Sequence, residues 1–94
     1  MQINIQSIHF DADQKLLDFV QKKAAKLETL NHRIIDLEIY LKLDKADNHA
    51  NKITELKLHM PGTTLFAKEQ RKTFEESTDL AIDHLKQQLA KRKD

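Results

Sequence analysis

DLEIYLKL, residues Asp36 to Leu43, alternates polar and aliphatic side chains at every step. Period-two alternation is the signature of a strand with one buried face. Leu37, Ile39, Leu41 and Leu43 are expected to point inward, and Asp36, Glu38, Tyr40 and Lys42 outward. Downstream, DKADNHAN (44–51) is a polar loop, long for a tight hairpin. Lys52 to Met60 repeats the alternation, with Thr54, Leu56, Leu58 and Met60 inward. Pro61-Gly62, the chain's one proline and one glycine, marks the next turn. Thr63 to Lys68 forms a further strand with Leu65 and Ala67 inward. Upstream, Gln2 to Ile8 alternates weakly and reads as a short first strand.

Two segments have helical periodicity instead. From about Gln14 to Leu30 the apolar arc is Leu16, Phe19, Val20, Ala24, Leu27 and Leu30, preceded by the N-cap candidates Asp11 and Asp13. From Phe74 to Lys93 the arc is Phe74, Thr78, Ala81, Ile82, Leu85 and Leu89. The order is therefore β-α-β-β-β-α, an α+β fold. The strand–helix–strand unit requires a parallel pair, and the later strands make an antiparallel meander. Because one sheet face alternates to polar, both helices are expected on the other face of a four-stranded sheet.

The chain has 94 residues, of which 39% are hydrophobic, 5% aromatic and 33% charged. This suits one small α+β domain spanning 1–94 with a thin core. Without cysteine it has no disulfide or thiol chemistry. The opening residues lack the basic and apolar regions of a signal peptide, and no run approaches a membrane span. A cytoplasmic location is the expectation.

The net charge is only +1, but it is polarised. Lys15 to Lys26 holds four lysines against one acid, and Lys86 to Lys93 holds four cations and no acid. Asp36 to Lys57 holds five acids against four lysines. Both basic blocks fall on helices. Lys15, Lys22 and Lys26 lie within about 40° of one another on the first helix. Lys23 falls inside the apolar arc, its ammonium expected to snorkel toward that flank. Acid-first, base-last order on the closing helix also suits the helix dipole. Side by side, the two helices would present Lys22, Lys23 and Lys26 beside Lys86 and Lys93, a basic surface about 10 to 20 Å across.

MQINI, Phe19-Val20, Lys23, Ala25-Lys26-Leu27-Glu28, Leu41-Lys42, Asp79, Ile82-Asp83, Leu85, Gln88-Leu89, Lys91 and Lys93, in this order and spacing, resemble the short ribosome hibernation-promoting factors, also described as ribosome-associated inhibitors or protein Y. The resemblance runs over essentially the whole chain, with the same element order. It implies a bacterial, non-enzymatic stress- or stationary-phase protein, monomeric off the ribosome. Such a protein binds the small ribosomal subunit and its rRNA in the mRNA/tRNA channel, inhibits translation and preserves idle ribosomes. The chain ends just after the closing helix, which suits the short form without the ribosome-pairing module. The RNA-binding residues so implied are Lys22, Lys23, Lys26, Lys86, Lys91, Arg92 and Lys93. Of these, Lys23, Lys26, Lys91 and Lys93 match the family's positions. Lys86 and Arg92 are additional cations, while His84 and Gln87 stand where relatives often carry Lys and Arg. Thr73 and Glu75 replace an Asp-x-Tyr-like pair.

Other chemistries find little support. His9, His32, His49, His59 and His84 include no pair at i,i+4, so no metal site is expected. A phosphate-binding glycine loop and a nucleophile elbow are absent, so no enzyme activity, cofactor or small-molecule substrate is expected. Asp79 and Asp83 share a helix face, with Lys86 as the expected ion-pair partner. Tyr40 and Phe66 are placed on the open sheet face, where base stacking is sterically open. Two other function classes fit the pattern: a protein-interaction or dimerisation domain using the open sheet or a strand edge, and a general double-stranded RNA binder.

Overall fold

The computed structural model describes residues 1–45 and 49–92. Its elements are β1 (Gln2–Ile8), α1 (Gln14–Ala25), a 3-10 turn (Lys26–Thr29), β2 (Asp36–Leu43), β3 (Lys52–Met60), β4 (Thr63–Arg71) and α2 (Phe74–Lys91). The four strands are hydrogen-bonded in the order β1-β2-β3-β4. β1 runs parallel to β2, and the two later pairs are antiparallel. This is the expected α+β fold.

The alternation in β2 separates two environments. Leu37, Ile39 and Leu41 are fully buried beneath the helices, together with Val20, Leu27 and Leu85. Asp36, Glu38, Tyr40 and Lys42 are half-buried on the opposite, helix-free face. Both helices begin at side-chain caps. Asp13 Oδ1 accepts from the Leu16 amide at 2.8 Å, and Thr73 Oγ1 from the Glu76 amide at 3.1 Å. Each cap satisfies an amide that the first helical turn leaves without a partner. Phe10 stacks on Phe74 with ring centroids 4.8 Å apart, fixing the entry of α2 against the loop before α1.

Polar groups inside the core are paired. Thr54 on β3 is fully buried, with its hydroxyl 2.7 Å from Ser77 Oγ and 3.1 Å from Thr78 Oγ1 on α2. Ser77 also donates to the Phe74 carbonyl at 3.2 Å. This small hydroxyl network sets α2 in register over β3, since buried hydroxyls need partners.

Three expectations change. The α-helical part of the first helix ends at Ala25 rather than Leu30 and tightens into the 3-10 turn. There the Thr29 hydroxyl donates to the Lys26 carbonyl at 2.7 Å. A 3-10 turn rises about 2.0 Å per residue against about 1.5 Å in an α-helix. Leu27 stays buried, and Leu30, counted in the apolar arc, emerges 53% exposed. β4 continues three residues beyond Lys68, because β3 offers partners as far as Lys52, which pairs with Arg71. Leu43, expected inward, lies at the sheet margin and is half-buried.

Candidate nucleic-acid interface

The two helices pack beside each other on one sheet face, and the cations of α1 divide by what they touch. Lys23 does not snorkel toward the flank of Lys15 and Lys26. Its Nζ lies 3.1 Å from Asp79 Oδ1 on α2 and 5.5 Å from the centroid of the Phe19 ring. The position of α2 decides this: Asp79 stands across the seam within ion-pair reach of Lys23. The expected ion pair of Lys86 with the Asp79–Asp83 pair does not form among the described residues: Asp79 is engaged by Lys23, and Lys86 meets neither acid.

Lys22 on α1 and Lys26 at the start of the 3-10 turn that continues it are exposed on the outward flank. On α2, Lys86 is half-buried, and Lys91 and Arg92 are exposed at its C-terminal end. Among the described residues, none of these five makes an ion pair. Their charge is directed to solvent. Lys93 lies outside the described residues.

Helical geometry places the α2 cations on two flanks. Lys86 and Lys91 are five residues apart and so about 140° apart around the axis. Lys86 shares the flank of Asp79, toward α1. Lys91 shares the flank of His84, which faces the β4 edge: His84 Nε2 contacts Glu69 Oε2, and Gln88 Nε2 donates to the Phe66 carbonyl at 2.7 Å. Lys86 thus borders the seam between the helices, Lys22 and Lys26 stand on the outward side beyond Lys23, and Lys91 extends the positive surface around the far side of α2.

The helix-free face is different. Lys42 Nζ lies 2.9 Å from Glu55 Oε2, and Lys68 Nζ lies 3.8 Å from the same oxygen. Lys57 sits 5.6 Å from the centroid of Phe66, which is 60% exposed. Tyr40 donates to Glu38 Oε1 at 2.6 Å, and His59 Nε2 lies 2.6 Å from Glu38 Oε2. The Tyr40 hydrogen bond first, then that of His59, holds the Glu38 carboxyl below its ordinary range, and the same bond to Glu38 raises the Tyr40 phenol. Here acids engage the cations and the tyrosine. This face offers a phosphate backbone much less free positive charge than the helices do.

This division was legible only in part. The basic blocks stand out in the sequence, but Lys23–Asp79 joins residues 56 positions apart and depends on how the helices are set. The open-face pairs Lys42–Glu55 and Glu38–His59 were also missed. Their signal is the strand register, which places Tyr40 opposite Glu55 and Asp36 opposite His59.

Comparison with known proteins agrees with the architecture. Residues 3–94 match the family model described as Sigma 54 modulation protein / S30EA ribosomal protein. The chain is 34% identical over 94 residues to the ribosome hibernation promoting factor of Escherichia coli strain K12, covering 100% of this chain and 95% of that protein. It is 29% identical to the Pseudomonas putida factor, covering 100% of this chain and 88% of the relative. In fold it resembles a ribosomal subunit interface protein from Coxiella burnetii, with a TM-score of 0.86, 23% identity, and coverage of 97% of this chain and 96% of the other. The N-terminal domain of Thermus thermophilus Protein Y superposes with a TM-score of 0.80 at 21% identity, covering 95% of this chain and 96% of that one. With the family model matched over nearly the whole sequence, the chain belongs to the Sigma 54 modulation protein / S30EA ribosomal protein family, whose matched members are ribosome hibernation promoting factors and not enzymes.

Proposed function

We propose that this protein binds the small ribosomal subunit in the channel used by mRNA and tRNA, inhibiting translation and stabilising idle ribosomes. Lys22, Lys26, Lys86, Lys91 and Arg92 meet the phosphates of rRNA, and Lys93 extends the same contact. Lys23, paired with Asp79 across the seam, stands at the edge of this surface.

The observation that carries the reading is that Lys22, Lys26, Lys86, Lys91 and Arg92, on two adjacent helical segments, make no ion pair among the described residues. Lysine and arginine gain affinity for RNA by neutralising phosphates and releasing condensed counterions. Double-stranded RNA is met through shape, phosphate and 2′-OH contacts, for which long cationic side chains on a fixed scaffold are suited. Family membership supports the ribosome as the target.

The test is co-sedimentation of Lys26→Glu, Lys91→Glu and the double variant with purified small subunits. Each single variant is expected to bind more weakly and the double variant weakest, with thermal unfolding unchanged because both side chains are exposed. A double variant that sediments like the unmodified protein contradicts the proposal.

A further inference from the structure

On the helix-free face, β2 and β3 bring together three groups that family membership does not explain. Asp36 and Glu38 lie two residues apart on β2, and His59 lies opposite Asp36 on β3. One ligand atom from each lies within 4.8 Å of the others. His59 Nε2 is 2.6 Å from Glu38 Oε2 and 3.7 Å from Asp36 Oδ1.

Two further contacts orient this triad from outside. Thr64 Oγ1 lies 3.2 Å from His59 Nδ1, which directs Nε2 toward the carboxylates. Tyr40 donates to Glu38 Oε1, leaving Oε2 turned inward. Metal-ligating histidines and carboxylates characteristically have such outer partners. Asp36 Oδ1 adds an independent observation: it is shielded from solvent and accepts no hydrogen bond among the described residues. A shielded carboxylate oxygen without a donor is costly, and a bound cation removes that cost.

We propose that Asp36, Glu38 and His59 form a site for one divalent transition-metal ion, with Zn²⁺ the best match. One imidazole with two carboxylates and no thiolate selects a borderline ion over Cu(I), and the imidazole disfavours Ca²⁺ and Mg²⁺. Zinc bonds near 2.0 to 2.2 Å place tetrahedral ligand atoms about 3.3 to 3.6 Å apart. That separation falls between the Glu38–His59 and Asp36–His59 distances, and side-chain rotation within the 4.8 Å cluster brings the three ligand atoms to it. The ion takes the place of the hydrogen between Glu38 and His59, with His59 coordinating through Nε2 and its ring N–H held at Nδ1 against Thr64 Oγ1. Water completes the coordination. The site clamps β2 to β3 on the face away from Lys22 and Lys26.

The experiment is calorimetric titration of the full chain with ZnCl₂ in a non-chelating buffer, alongside NMR of the histidine rings. The expected result is saturable binding of one equivalent, with the His59 ring resonances shifting ahead of those of the other histidines. Affinity should fall by about tenfold or more in Asp36→Asn and His59→Gln, and stay unchanged in His84→Gln. The NMR measurement needs only the unmodified protein, so it decides the matter even if a variant folds poorly. Absence of saturable binding, an unperturbed His59 ring, or equal affinity in Asp36→Asn overturns the proposal.

Discussion

Lys23 Nζ and Asp79 Oδ1 lie 3.1 Å apart across the seam between α1 and α2. The cation nearest the seam is therefore satisfied inside the protein, while its neighbours Lys22 and Lys26 remain free for an external anion. The two side chains are 36% and 48% exposed, so water screens the pair. Its contribution to stability is accordingly small.

Asp79→Asn tests that balance. The substitution should lower the unfolding free energy by less than about 1 kcal/mol, measured by urea denaturation. It also releases Lys23 and removes an acid from the edge of the basic surface. Affinity for small subunits at low salt should then rise by about two- to fivefold, the equivalent of one screened surface charge interaction. Weaker binding in Asp79→Asn would show that the ion pair positions the helices for binding rather than merely occupying Lys23.

Lys26 and Lys91 project from different helices and share no partner, so their effects on binding should combine independently. Replacing either by glutamine should reduce the slope of log affinity against log salt by about 1, measured with subunits across a salt series. The double variant should lose about 2. A slope unchanged by either substitution would remove these residues from the interface.

Phe66 is an exposed aromatic of the helix-free face, with Lys57 set against its ring. Phe66→Ala should leave subunit binding unchanged and cost less than about 1 kcal/mol of stability, the scale of an exposed cation–π contact. A large loss of binding with an intact fold would move the interface to the sheet.

Thr54→Val removes the hydroxyl that joins Ser77 and Thr78 while nearly preserving shape. Unlike the surface changes, it should destabilise the protein by about 1 to 3 kcal/mol, the cost of leaving buried hydroxyls short of a partner. Chemical denaturation measures this directly. Unchanged stability would mean that Ser77 and Thr78 find other acceptors within α2.

The sheet was readable in DLEIYLKL because one buried and one wetter face impose alternation, and the same pattern indicated where both helices pack. The end of the first helix was less legible. Leu27 and Leu30 both continue the helical spacing, yet the backbone tightens after Ala25 and leaves only Leu27 buried. The cationic blocks were visible as composition, but the partner of Lys23 was not, since Asp79 reaches it only through lateral helix packing. Asp36, Glu38 and His59 were hidden for a related reason. A search for histidine pairs along a helix misses a triad assembled by cross-strand register. Periodicity reports which face a residue occupies; the identity of its neighbour on that face comes from register and helix placement.

The most direct measurement of the functional account is binding of the purified protein to small subunits whose mRNA and tRNA sites are either empty or filled, at low and moderate salt. The account predicts retention on empty subunits, weakening as salt rises, and displacement when both sites are filled. Equal binding to empty and filled subunits would contradict placement in the mRNA/tRNA channel. Failure to bind empty subunits at any salt would contradict the ribosomal role of the basic helix surface itself.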